Sequence, residues 1–164
     1  MTENQSKLLV DAQAFVSDLF LNKVSKSIKF HNLDHTQGVV MACEEMAAYY
    51  QLSDEDRLTL TVAAWFHDTG FSSGQAHGHE DVSIQLVTTF LQEHKSNPLF
   101  IKKVISCIEA TKMPQSPKNL MEQILCDADL SHLGTDEFFL RSKLLREELK
   151  EFSKQDISKK QWRK

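Results

Sequence analysis

The stretch SDEDRLTLTVAAWFHDTG, Ser53 to Gly70, decides the fold. Ser53 reads as an N-cap, with Asp56 three residues later in the manner of a capping box. Behind it, Leu60, Val62, Ala63, Ala64, Trp65 and Phe66 make a helix that is apolar nearly all round. Such a helix has no face to give to water, so it belongs at the centre of a helical core. It stops near Gly70, and Gly70, Ser72, Ser73, Gly74 and Gly78 mark a loop.

The neighbouring segments repeat the helical spacing. Leu8, Ala12, Phe15 and Leu19 recur at steps of three and four. A second helix is expected over residues 34–50, with Val39, Ala42 and Met46 inward, and a fourth over 81–93. Asn97-Pro98 is a cap with a first-turn proline, opening a helix through Ile101, Val104, Ile105 and Ile108. Pro114 and Pro117 interrupt the chain. The next helix is expected over 120–133, stopped by Gly134. The last is expected over 136–152, with Phe138, Leu145, Leu149 and Phe152 on one face. No strand-like alternation competes with these assignments. The expectation is an all-α protein: one domain over residues 1–152 with six to eight helices. Residues 153–164 form a polar, basic tail containing Trp162, either frayed or the start of a further segment.

At 164 residues, with 41% hydrophobic and 26% charged side chains, the chain can bury a core without disulfides or a metal staple. Its net charge of −4 gives no basic footprint for nucleic acid and no polybasic patch for a membrane. Cys43, Cys107 and Cys126 lie in apolar helical stretches without a CxxC pair, and are expected as buried thiols. No signal-like run follows Met1 and no stretch approaches transmembrane length. A cytoplasmic location is expected.

The chemistry gathers in the histidines. Five of seven lie from His31 to His79. His67-Asp68 alone is a weak signal, but it ends the most apolar helix. A buried imidazole and carboxylate need a partner, and a divalent cation supplies one for both. His35 shares a helical face with Val39, so it too points at the core, where a bond to a backbone carbonyl would also account for it. Asp129 sits among Ile124, Leu125, Ala128 and Leu130, with Asp127 as an alternative carboxylate nearby. Imidazoles and carboxylates from three helices would suit Mn, Fe, Co, Ni or Zn, or Mg with several waters.

Three blocks, FHNLDHT (30–36), FHD (66–68) and DADL (127–130), together resemble the HD superfamily of metal-dependent phosphohydrolases. The resemblance covers residues 29–134. It implies a ligand set of His35, His67, Asp68 and Asp129, the last chosen over Asp127 because it precedes Leu130. It also implies a small phosphorylated substrate, such as a nucleotide, hydrolysed by a metal-activated water. Asp68 would orient or deprotonate that water. The first block is similar to the aromatic-His-Asn-x-x-His stretch of class I cyclic-nucleotide phosphodiesterases, which makes His31 a candidate proton donor. Gly70 and Phe71 stand where those enzymes carry a further histidine, and no histidine falls near Thr111. One tightly held metal is therefore expected. His79 is a candidate for a second metal or a phosphate contact, Lys112 for a phosphate contact, and His77 lies in the same loop. The alternatives are a catalytically silent metal-bound sensor or interaction domain, and di-iron oxygenase chemistry, which needs a complete second site.

Overall fold

A computed structural model describes residues 1–153 and 162. Among them are seven α-helices and no strand: α1 (Glu3–Asn22), α2 (Leu33–Tyr49), α3 (Asp54–Phe66), α4 (His79–Glu93), α5 (Pro98–Ala110), α6 (Leu120–Asp129) and α7 (Phe138–Ser153). Two 3-10 turns, Thr69–Ser73 and Ser131–Gly134, follow α3 and α6. The all-α expectation holds.

Helix α3 is the axis of the molecule. All nine residues from Leu58 to Phe66 are buried, as a helix without a polar face requires. Ser53 caps it, its hydroxyl oxygen accepting the Asp56 N–H at 3.1 Å. Helices α1, α2, α5 and α6 pack around it, and α4 lies against α5 and the turn after α3. Phe66 stacks on Phe15 of α1 and tilts against Phe90 of α4. Asn97 caps α5 and Pro98 opens it. No helix among the described residues is long and apolar enough to cross a membrane.

The structure corrects several boundaries and faces. In α1 the inward face is Ala12, Val16 and Phe20, a strict step of four, while Phe15 is partly exposed. In α2 it is His35, Val39, Cys43 and Ala47 rather than Ala42 and Met46, which pack at its margin. Helix α6 ends at Asp129, four residues before the expected stop. The chain then tightens into the second 3-10 turn, so Gly134 closes that turn and not the helix. In α7 the buried residue is Glu148, and Phe138 is exposed. Most of the expected tail lies outside the described residues. Trp162 is described, and its indole N–H donates to Ser142 Oγ of α7 at 2.7 Å.

Candidate metal centre

Four helix ends and one turn bring the site together. Asn32 caps α2: its side-chain oxygen accepts the His35 N–H at 3.0 Å, fixing the first turn that carries His35. His67 caps the C-terminus of α3. Its Nδ1 lies 2.8 Å from the Ala64 carbonyl, so Nδ1–H donates there and Nε2 presents a bare lone pair. Asp68 follows immediately, and Asp129 is the last residue of α6.

These side chains converge. Nε2 of His35, Nε2 of His67 and Oδ1 of Asp129 lie within 4.8 Å of one another. His35 Nε2 is 3.1 Å from Asp129 Oδ1 and 3.4 Å from Asp68 Oδ2. His67 Nε2 is 3.1 Å from Asp68 Oδ2 and 3.6 Å from Asp129 Oδ1. His79 joins from the start of α4, with Nε2 3.3 Å from the other Asp68 oxygen and Nδ1 2.8 Å from the Ala76 carbonyl. Asp68 thus faces the main cluster with Oδ2 and His79 with Oδ1.

The turn bearing these side chains is pinned from below. Ser83 Oγ, buried in α4, donates to the His67 carbonyl at 2.7 Å and accepts the Gly70 N–H at 2.8 Å. Gly70 is required by contact: a Cβ there would lie 1.8 Å from the His79 carbonyl oxygen. The missing side chain is what lets α4 approach closely enough for His79 to reach Asp68. Phe71, also buried, fills the adjacent space and stacks on His31 with ring centroids 4.4 Å apart.

The electrostatics call for a cation. His67 Nε2 and Asp68 Oδ2 are buried and make no hydrogen bond, although they are 3.1 Å apart. Two sets of lone pairs facing each other away from water carry a large desolvation cost. A proton relieves this in the free chain. Burial opposes a charge on His67, but the carboxylates of Asp68 and Asp129 outweigh it and raise its pKa well above the usual imidazole range. Burial likewise works against ionised Asp68, and the neighbouring His67 and His31 hold its pKa well below the usual carboxylate range. Burial also opposes ionised Asp129, which the hydrogen bond from His35 and the charge of His67 hold low. A divalent ion does the work of that proton better, so donor set, burial and unpaired atoms all fit a metal.

The remaining sequence candidates divide. His31 lies beside the cluster, its ring 5.8 Å from that of His35. His31 Nδ1 is bonded to Glu148, a partner that sequence reasoning missed. Glu148 also accepts the backbone N–H of Phe30 at 2.7 Å and of His31 at 3.1 Å. His132 was missed too: it follows Asp129 by three residues, and its ring lies 6.3 Å from that of His35. Lys112 is not brought to the cluster by any contact among the described residues; its ammonium pairs with Asp81 at 2.6 Å. His77 and Asp127 are exposed.

A family model of the HD domain matches residues 32–134, well over half the chain and spanning every residue of the cluster. The protein belongs to the HD domain family, and so to a superfamily of metal-dependent phosphohydrolases. Comparison with curated proteins gave no match, and neither did comparison with solved structures.

Proposed function

We propose that the protein hydrolyses a phosphoester, a nucleotide or a related small phosphorylated molecule, at a divalent cation held by His35, His67, Asp68 and Asp129. The observation that supports this most is the buried, unpaired face of His67 Nε2 and Asp68 Oδ2. A cation bound there would supply Lewis-acid activation of water and of a phosphoryl oxygen. Around it, this chain's own groups divide the work. Asp68 orients the attacking water or takes its proton. His31 is the proton donor. Because Glu148 engages Nδ1, a proton passed to the departing oxygen leaves from Nε2 of His31. Burial works against ionised Glu148, but the hydrogen bond from His31 holds its pKa below the usual range, so it remains a charged acceptor that holds the His31 ring. Phe71 stacks on the ring and keeps its angle. His79 adds a contact to Asp68 that suits a second, weaker cation or a phosphate oxygen. Cys43, Cys107 and Cys126 are free and buried, in keeping with a reducing compartment such as the cytoplasm.

The test is a nucleotide and aryl-phosphate panel with Mn, Mg, Co, Ni, Fe and Zn, on wild type and His31→Ala. His31→Ala should keep its metal and lose turnover by roughly 10²–10⁴-fold on an alkoxide leaving group. The loss should shrink on nitrophenyl phosphate, whose leaving group needs no proton. Equal wild-type rates on both substrates would remove His31 from the reaction. Bound metal with no turnover across the panel would leave a silent metal-bound sensor as the better account.

A further inference from the structure

A cavity of about 440 Å³ opens beside the cluster, between the first turns of α2, the 3-10 turn after α6, and α7. His35 and Asp129 form the wall it shares with the cluster; His132, Asp136, Glu137 and Arg141 form much of the rest. His31, His67, Asp68 and His79 are not part of its lining. The space is therefore separate from the place assigned to the leaving group, yet continuous with two of the ligands.

Its charges are unequally placed. Asp136 and Glu137 are on the exposed rim, where solvent screens them. Arg141 is the more enclosed group, with 21% of its side chain accessible against 61% for Glu137. Arg141 is thus more enclosed than either rim carboxylate. Glu137 Oε2 accepts from Arg141 Nε at 3.1 Å, one turn apart on the chain, which fixes the side chain while using one of its five donors. Once a divalent ion offsets Asp68 and Asp129, an arginine fork remains facing a space contiguous with that ion. A planar fork in that position suits a phosphoryl group.

We propose that this cavity is a subsite for a second phosphoryl group, bound by Arg141, of a substrate whose reacting phosphoryl group lies at the cluster. The proposal rests on the phosphoester reading above and narrows its substrate class to molecules carrying a diphosphate or longer. Arg141 lies beyond the 32–134 family match, on the same helix as Glu148 and seven residues, or two turns, before it. Helix α7 would then carry both the residue that aligns the proton donor and the residue that selects the substrate.

The experiment uses Mn-loaded full-length protein and two ligands that cannot be hydrolysed, methylphosphonate and methylenediphosphonate. Calorimetry gives both affinities, metal analysis after titration shows that the ion stayed bound, and circular dichroism checks the fold of each variant. Arg141→Gln should weaken methylenediphosphonate by about ten- to hundredfold, the worth of a charge-assisted bond pair, and leave methylphosphonate within about twofold. Arg141→Lys should fall between wild type and Arg141→Gln. An unchanged affinity ratio in a folded, metal-retaining Arg141→Gln overturns the subsite alone. Failure of both ligands to bind metal-retaining wild type overturns the subsite and the phosphoester reading together.

Discussion

Two buried acidic centres in this molecule look alike by burial and differ in what surrounds them. One is Glu122, in the first turn of α6. Its carboxylate accepts from Ser106 Oγ at 2.6 Å, from the Lys118 N–H at 2.6 Å and from Asn119 Nδ2 at 2.7 Å. The other is Asp68, beside His67 and Asp129, where Oδ2 has lone pairs around it and no hydrogen bond. Both are almost inaccessible to water. At Glu122 three donors satisfy both oxygens, and the carboxylate serves as a clamp between α5 and the α6 entry. At Asp68, Oδ2 has no hydrogen-bond donor, and a proton on His67 or a cation is needed to offset it. Burial of a charge is thus no sign of function by itself; unmet demand for a partner is.

The comparison breaks most sharply at Asp129. Asp129→Ala should leave a folded protein with metal at background level, while Asp127→Ala, whose side chain is exposed, should retain the wild-type metal content. Metal analysis of the two purified variants decides this. In metal-free protein near pH 7, Asp129→Ala should melt lower than wild type, because it removes the carboxylate that His35 hydrogen-bonds and that helps to hold a proton on His67. Wild-type metal content in Asp129→Ala would mean that Asp129 is not a ligand and that the metal is held by other groups.

Glu122 should behave in the opposite way. Glu122→Ala strands three donors, at a cost of about 2–4 kcal/mol in unfolding free energy. Metal bound per folded molecule should not change. Denaturant unfolding with metal analysis on the same preparation separates the two effects. A stable Glu122→Ala that has lost its metal would show that the clamp and the cluster are one unit.

Much of this was legible before the structure. The all-round apolarity of α3 fixed the centre of the fold, and the order His35, His67-Asp68, Asp129 named side chains that do converge. What escaped is informative. Glu148 sits between Glu147 and Leu149 in a helix dense with Arg146, Lys150 and Glu151, where one more acid reads as solvated surface. Its burial depends on a contact across 117 residues of chain, which periodicity along one helix cannot show. His132, three residues after Asp129, would share that carboxylate's face on a continued helix. Its closeness to His35 depends on how α6 and the turn after it lie against α2, which spacing along one helix does not show. Lys112 failed for the converse reason: Asp81 satisfies it at the surface, and position near a functional loop says nothing about direction.

Glu148 lies between the two extremes and should give the smallest effect. It is satisfied like Glu122, but its chief partner is His31, a candidate reactive group. Glu148→Gln keeps the shape and removes the charge, so it should cost about 1–2 kcal/mol near pH 7. The pH dependence identifies the source. Burial raises the pKa of Glu148, yet the bond from His31 and the Phe30 and His31 N–H groups outweigh it, so the folded value lies below the ordinary 4.5. A depressed carboxylate pKa contributes stability in full above the unfolded value, and that contribution is lost as pH falls through the folded one. The gap between wild type and Glu148→Gln should therefore be constant above about pH 5.5, begin to close near 4.5, and vanish at lower pH, where wild type also carries a neutral acid. Thermal melts of metal-free protein across that range measure it without competition from metal release. A gap that persists unchanged into acid would mean that Glu148 acts by shape alone. His31 would then have no ionised partner to hold its ring.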